Sequence, residues 1–294
     1  MKWSIFQDYY SLCKPKVIFL MLVTCWVGMI LATQNTLPWN AFIFGTLGIA
    51  LSGAAAAVIN HLVDRRIDAK MTRTLYRPIA SGRITPKKAL MFASILAISG
   101  ISILFFWVNP LTAYLSVLTV LGYACFYTLF LKRATPQNIV IGGAAGATPP
   151  LLGWVAVSNE MHAFAWLLVL IIFTWTPPHF WALAIYRQQE YAAANIPMLP
   201  VTHGLFFTKL CIVLYTCLLW AVTLLPYVVG MSGLLYFIFA FILGAVFLGY
   251  ALILFRSKSP SFALKTFSFS ILYLLLLFIF LLMDYFLSRI DKFL

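Results

Sequence analysis

"FIFGTLGIALSGAAAAVI", residues 42–59, runs directly into "NHLVDRRIDAKMTRT", residues 60–74. The first string is uncharged, apolar and long enough to cross a bilayer as a helix. The second places Asn60, Asp64 and Asp68 four residues apart at its mouth, in a chain with only 7 acidic residues. Hydrophobic residues make up 63% of the 294 residues and charged ones 9%. Soluble domains run nearer 45–50% apolar and about 25% charged. The composition therefore excludes a water-soluble monomer and points to lipid as the solvent.

Nine apolar stretches fit membrane helices, near 17–34, 38–60, 88–108, 110–131, 138–157, 162–185, 210–229, 232–255 and 264–287. Continuous apolarity, rather than alternation, favours helices over a β-barrel. The expected fold is all-α: a polytopic membrane protein, one domain over 1–294, with nine transmembrane helices bundled beneath cytoplasmic cap loops. The short connections "QNTLP", "VNP", "SNEMH" and "VGMSG" carry almost no charge, whereas the alternate ones are basic. All Lys and Arg except Arg289 and Lys292 fall on the N-terminal segment and those alternate connections. The positive-inside bias then puts the N-terminus in the cytoplasm and the C-terminus in the periplasm. The net charge of +13 is accounted for by topology, so nucleic acid is not an expected partner. No secretory signal or transit peptide is evident at the N-terminus, which favours a bacterial inner membrane. Five scattered cysteines without a CxxC pair indicate packing rather than a disulfide framework or zinc site.

On a helix, positions i, i+4 and i+8 drift by about 40° and rise about 6 Å per step. Asn60, Asp64 and Asp68 would form one oxygen-bearing stripe from the membrane interface into the long connection 61–87. Two carboxylates and an amide suit Mg²⁺, which takes hard oxygen ligands and is commonly shared with substrate phosphates. Lys70, Arg73 and Arg77 follow, enough positive charge to hold a diphosphate. The plainer alternative pairs Asp64 and Asp68 with Arg65 and Arg66. Scarce acids at membrane depth favour the functional reading.

A second polar group lies in "TPPHFWALAIYRQQEYAAANIPMLPVTHG", residues 176–204. Tyr186 and Glu190 are expected four apart at the cytoplasmic end of the sixth span, with Arg187 and Tyr191 beside them. Pro177 and Pro178 are expected to interrupt that span, freeing backbone groups. His179 follows them, either as a packed core histidine or as a contact for a polar ligand. If the two acidic groups faced one another, each could hold a cation on one diphosphate and polarise it as a leaving group.

Three strings in chain order carry a resemblance: "NHLVDRRIDAKMTRTLYRPIASGRI" (60–84), "YTLFLKRATPQNIVIGGAAGATPPLLGW" (127–154) and the 176–204 segment. Together they resemble the UbiA superfamily of intramembrane prenyltransferases, and within it the haem-farnesylating branch. The resemblance implies transfer of a farnesyl group from farnesyl diphosphate to a vinyl carbon of haem B, with water supplying a hydroxyl, to give haem O. It implies Mg²⁺ and diphosphate at Asn60, Asp64 and Asp68, and phosphate neutralisation by Lys70, Arg73, Arg77, Lys132 and Arg133. Glu190, with Tyr186 and Arg187, would complete a second metal side. Here the chain departs from the branch, having Gln189 and Glu190 where Asp is usual before the Tyr. A downstream haem-modifying enzyme or terminal-oxidase assembly is an implied partner.

Ionising an allylic diphosphate requires electrostatic capture of the leaving group and exclusion of bulk water. Tyr127, Trp175, Phe180 and Trp181 are candidate cavity walls, since aromatic faces stabilise cations. Two other readings stay open. A UbiA-type enzyme with a quinone-precursor acceptor has the same metal requirement. A cation-coupled transporter with a broken sixth helix would want polar groups near the midplane.

Overall fold

The computed structural model describes residues 4–33, 36–69, 71, 74–131 and 134–290, apart from the side chains of 125, 126, 129–131 and 290. The described residues contain helices and no strands. In chain order these are α1 (Ile5–Leu12), α2 (Pro15–Leu31), α3 (Trp39–Asp68), α4 (Pro86–Trp107) and α5 (Pro110–Leu121), which continues as a π-helix over Gly122–Leu131. Then come α6 (Asn138–Gly146), α7 (Pro149–Ser158), α8 (Ala163–Tyr186), α9 (Gln188–Ala193), α10 (Leu199–Thr202), α11 (Gly204–Val228), α12 (Leu234–Arg256) and α13 (Pro260–Ile290).

Local chemistry sets many of these boundaries. Pro15, Pro86, Pro110 and Pro149 open α2, α4, α5 and α7, where a missing N–H removes no helical hydrogen bond. Thr85 and Asn109 cap α4 and α5 by accepting from Lys88 and Thr112 backbone N–H groups. Ser4 and Gln7 form a reciprocal capping box at α1.

Among the described residues, seven helices are long and apolar enough to cross a membrane, α6 and α7 counting as one, and the α1–α2 pair, bent by 43°, makes up to eight. The stretch from Pro110 to Ala124 is a shorter apolar helix. Each expected apolar stretch falls largely on helix, but not all of them are full-length straight spans. Winding the second half of the 110–131 stretch as a π-helix shortens its rise, and two prolines divide 138–157 into α6 and α7. The 186–209 connection is shorter than expected, because α11 starts at Gly204.

The chain forms two compact units. One comprises residues 1–133 and 148–161. Its densest packing is α3 against α4 and α2 against α7, around Cys25, Met29, Ile49, Leu104 and Leu152. Glycine permits that closeness: a Cβ on Gly28 would run into the Pro150 carbonyl, and one on Gly153 into the Cys25 carbonyl. A second cluster, Leu12, Val58, Ile79, Ile84, Ala89 and Ala93, ties α1 and the 74–85 turn to α3 and α4. The other unit comprises residues 134–147 and 162–294, with α8 packed on α6, α11 and α13 and α12 lying between α11 and α13. Large apolar side chains left exposed, such as Ile95 and Ile98 on α4 or Phe241 and Ile242 on α12, suit a lipid environment.

Pro177 and Pro178 do not interrupt α8, which is continuous from Ala163 to Tyr186. Both prolines are buried, and α6 packs against this level through Gly143, where a Cβ would come 2.9 Å from the Thr176 methyl. Tertiary packing holds the helix through a sequence that would break an isolated one.

Candidate functional site

Helix α3 carries the apolar run and the acidic stripe without a break, from Trp39 to Asp68. Asn60, Asp64 and Asp68 are all buried, at 5%, 2% and 4% exposure. Asn60 Nδ2 donates to Asp64 Oδ2 at 3.0 Å, which fixes the amide so that its oxygen points the other way. That oxygen accepts from Lys14 Nζ at 2.6 Å. Asp68 accepts twice from Arg77 Nη1, at 2.8 and 2.9 Å. Its backbone carbonyl accepts from the Thr74 hydroxyl, so the turn beyond α3 is stitched to the last acid.

Asp68 is therefore paired with Arg77 and not with the neighbouring Arg65 or Arg66. Arg65 donates to the Leu62 carbonyl of its own helix, and Arg66 is exposed. Lys70, Arg73, Lys132 and Arg133 lie outside the described residues. No group of three or more His, Cys, Asp or Glu side chains able to hold a metal occurs among the described residues. The donor set is two carboxylates and an amide on one helix face. That set fits a hard cation which keeps water and takes phosphate oxygens, and does not fit zinc.

Three groups in this unit were not singled out in the sequence. Lys14 reaches the stripe from the α1–α2 junction. Tyr123, on the π-helix, lies near enough to interact with the charges of Asp64 and Arg77 and stacks on Tyr127 at 5.5 Å. Arg83 donates to both oxygens of buried Asp8, at 3.0 and 3.2 Å, and to the Tyr76 carbonyl. It thereby locks α1 to the turn carrying Arg77. Lys14 and Arg83 act through contacts 46 and 75 residues away in sequence, and Tyr123 stands on a π-helix, a form frequent at functional sites.

In the second unit, α8 ends at Tyr186 and α9 begins at Gln188. Tyr186 and Glu190 are consequently not on one continuous helix. Arg187 forms the joint and lies 3.7 Å from Glu190. Tyr186 is exposed and Tyr191 half-buried, and Gln188 anchors the connection by donating to the Pro200 carbonyl at 2.7 Å. His179 is buried, stacked between Trp175 and Phe267 at 4.1 and 4.5 Å, with Nδ1 2.6 Å from the Ser270 hydroxyl. Trp175 Nε1 donates to the Ser270 carbonyl. His179 thus has the surroundings of a packed core histidine. Trp181 is likewise core, edge-on to Tyr215, whereas Phe180 is exposed.

Residues 21–285 match the model of the UbiA prenyltransferase family. The chain belongs to the UbiA prenyltransferase family. It is 60% identical over 284 residues to protoheme IX farnesyltransferase 1 of Pseudomonas fluorescens strain Pf-5, covering 97% of this chain and 95% of that one. Protoheme IX farnesyltransferase of Azotobacter vinelandii is 59% identical over 281 residues, covering 96% and 94%. Among solved structures, digeranylgeranylglyceryl phosphate synthase superposes with a TM-score of 0.80 at 19% identity, covering 95% of this chain and 98% of that one. A UbiA homologue from Archaeoglobus fulgidus bound to GPP and Mg²⁺ gives 0.62 at 15%, covering 93% and 99%. At those identities the two structures speak for the fold alone. The family and its apolar helices make this chain a multi-pass membrane prenyltransferase.

Proposed function

We propose that this UbiA-family chain transfers the farnesyl group of farnesyl diphosphate to a vinyl carbon of haem B, with addition of water, giving haem O and diphosphate. The observation that carries the metal-and-diphosphate half is the buried Asn60–Asp64–Asp68 stripe beside Lys14 and Arg77. The acceptor half rests on about 60% identity, over nearly the whole chain, to proteins named protoheme IX farnesyltransferase.

Asn60, Asp64 and Asp68 would hold Mg²⁺, which when bound polarises the diphosphate and offsets the charge that develops as the C1–O bond breaks. Arg77, together with Lys70, Arg73, Lys132 and Arg133, neutralises phosphate oxygens by charge-assisted hydrogen bonds. The vinyl carbon supplies the electron pair for the new C–C bond. Water closes the resulting cation, leaving a hydroxyl and releasing a proton. Burial of the stripe keeps bulk water from the allylic carbon. Glu190, 3.7 Å from Arg187, would with Tyr186, Arg187 and Tyr191 form a second cation- and phosphate-binding group. His179 packs the core of its unit, both ring faces covered by Trp175 and Phe267.

The nine crossings proposed for the chain are the α1–α2 pair, the 110–131 stretch and the seven full-length helices. They run with the N-terminus cytoplasmic and the C-terminus periplasmic in a bacterial inner membrane. Purified protein incubated with haem B, farnesyl diphosphate and Mg²⁺ should yield haem O by mass spectrometry. Asp64→Asn should lower turnover about 10²–10³-fold, the range for losing one preorganised charge-stabilising group. Wild-type turnover of haem B in EDTA equal to that in Mg²⁺ would exclude the metal role.

A further inference from the structure

The metal stripe is already occupied by the protein's own cations. Lys14 sits on Asn60 Oδ1 at 2.6 Å, the oxygen that Asn60 would offer to a metal, because its Nδ2 is committed to Asp64. Arg77 spans both oxygens of Asp68. The backbone holds Lys14 in place. It stands in the left-handed region, φ 49° and ψ 58°, at the 43° bend between α1 and α2. A left-handed lysine before a proline is disfavoured and persists only where its surroundings fix it. Here α1 is anchored by the Asp8–Arg83 ion pair and by Leu12 in the core, and α2 starts at once with Pro15.

We propose that Lys14 is an exchangeable counter-cation that couples metal binding to diphosphate binding. This rests on the metal-and-diphosphate reading of the stripe. A bare divalent cation approaching Asn60 Oδ1 must displace an ammonium from that oxygen and then tolerate its charge nearby. A cation arriving with diphosphate brings phosphate oxygens, which accept from the displaced Nζ. Lys14 then moves from the amide to the diphosphate, and the like-charge repulsion becomes an attraction. Metal alone binds weakly; metal with diphosphate binds as a pair. Such gating keeps the stripe from holding a metal before a prenyl donor is present.

The test uses the full-length protein in detergent, with Mn²⁺ followed by electron paramagnetic resonance and with inorganic pyrophosphate as the probe anion. Lys14→Met should bind Mn²⁺ alone about 10-fold more tightly, since one unit charge a few ångströms from the ion is removed. It should bind pyrophosphate in the presence of Mn²⁺ about 10-fold or more weakly, having lost a charge-assisted hydrogen bond. Lys14→Gln, which keeps a donor for Asn60 but not the charge, should change both affinities in the same directions, and Lys14→Arg should keep Mn²⁺ binding weak. If wild type binds Mn²⁺ with pyrophosphate while neither Lys14→Met nor Lys14→Gln tightens Mn²⁺ alone, the coupling role fails and the site reading stands. If wild type itself binds no Mn²⁺ with pyrophosphate, both fall.

Discussion

The Asp68–Arg77 pair gives the most quantitative prediction. One guanidinium nitrogen lies 2.8 and 2.9 Å from the two carboxylate oxygens. The Asp68 side chain is 6% exposed and that of Arg77 25%. Unit charges about 4 Å apart at an effective dielectric of about 20 attract by about 4 kcal/mol. Partial exposure of the arginine screens the pair, and part of the attraction only offsets desolvation of the carboxylate. A net coupling of about 1.5–3 kcal/mol is expected. The measurement is a double-mutant cycle of Asp68→Asn and Arg77→Met, read as unfolding free energy in mixed micelles. Arg77→Met alone should cost about 2–4 kcal/mol, because it strands a buried carboxylate. The same change should cost less than about 1 kcal/mol in the Asp68→Asn background. Additivity within about 0.5 kcal/mol, the behaviour of independent sites, would refute the pairing and with it the account of how the turn after α3 is ordered.

Asp284, on α13, accepts from the backbone N–H groups of Gly233 and Tyr236 and so caps α12 from another helix. Asp284→Ala should destabilise by about 1–2 kcal/mol, the cost of a lost cap, with turnover per folded molecule retained; thermal unfolding and specific activity separate the two. Gly28→Ala and Gly153→Ala each force a methyl into a carbonyl across the α2–α7 contact and should lower stability by about 1–3 kcal/mol, without a change in Mg²⁺ dependence. Arg83→Met releases Asp8 and the α1 anchor, and should raise proteolytic cleavage between residues 4 and 15 in detergent at unchanged metal concentration.

The resemblance carried by three strings placed the chain in its family, and the apolar run 42–59 placed the stripe at the end of one helix. Both were legible because lipid imposes length and hydropathy on each span separately, so a spacing of four along α3 already specifies a shared face. Less legible was what Pro177 and Pro178 do, since an isolated helix would break where packing by α6 and the rest of α8 holds. The joint at Arg187 similarly separates Tyr186 from Glu190, although their spacing is that of helical neighbours.

Composition and periodicity by themselves determined an all-helical membrane protein with Asn60, Asp64 and Asp68 on one side of α3. Only the tertiary structure decided which cations meet them. Lys14 and Asn60 are 46 residues apart, and Asp8 and Arg83 are 75 apart. Local pattern encodes which face of a helix a residue occupies. It does not encode which distant charge a buried oxygen will accept, because that choice is made when burial removes water and leaves the nearest donor as the partner.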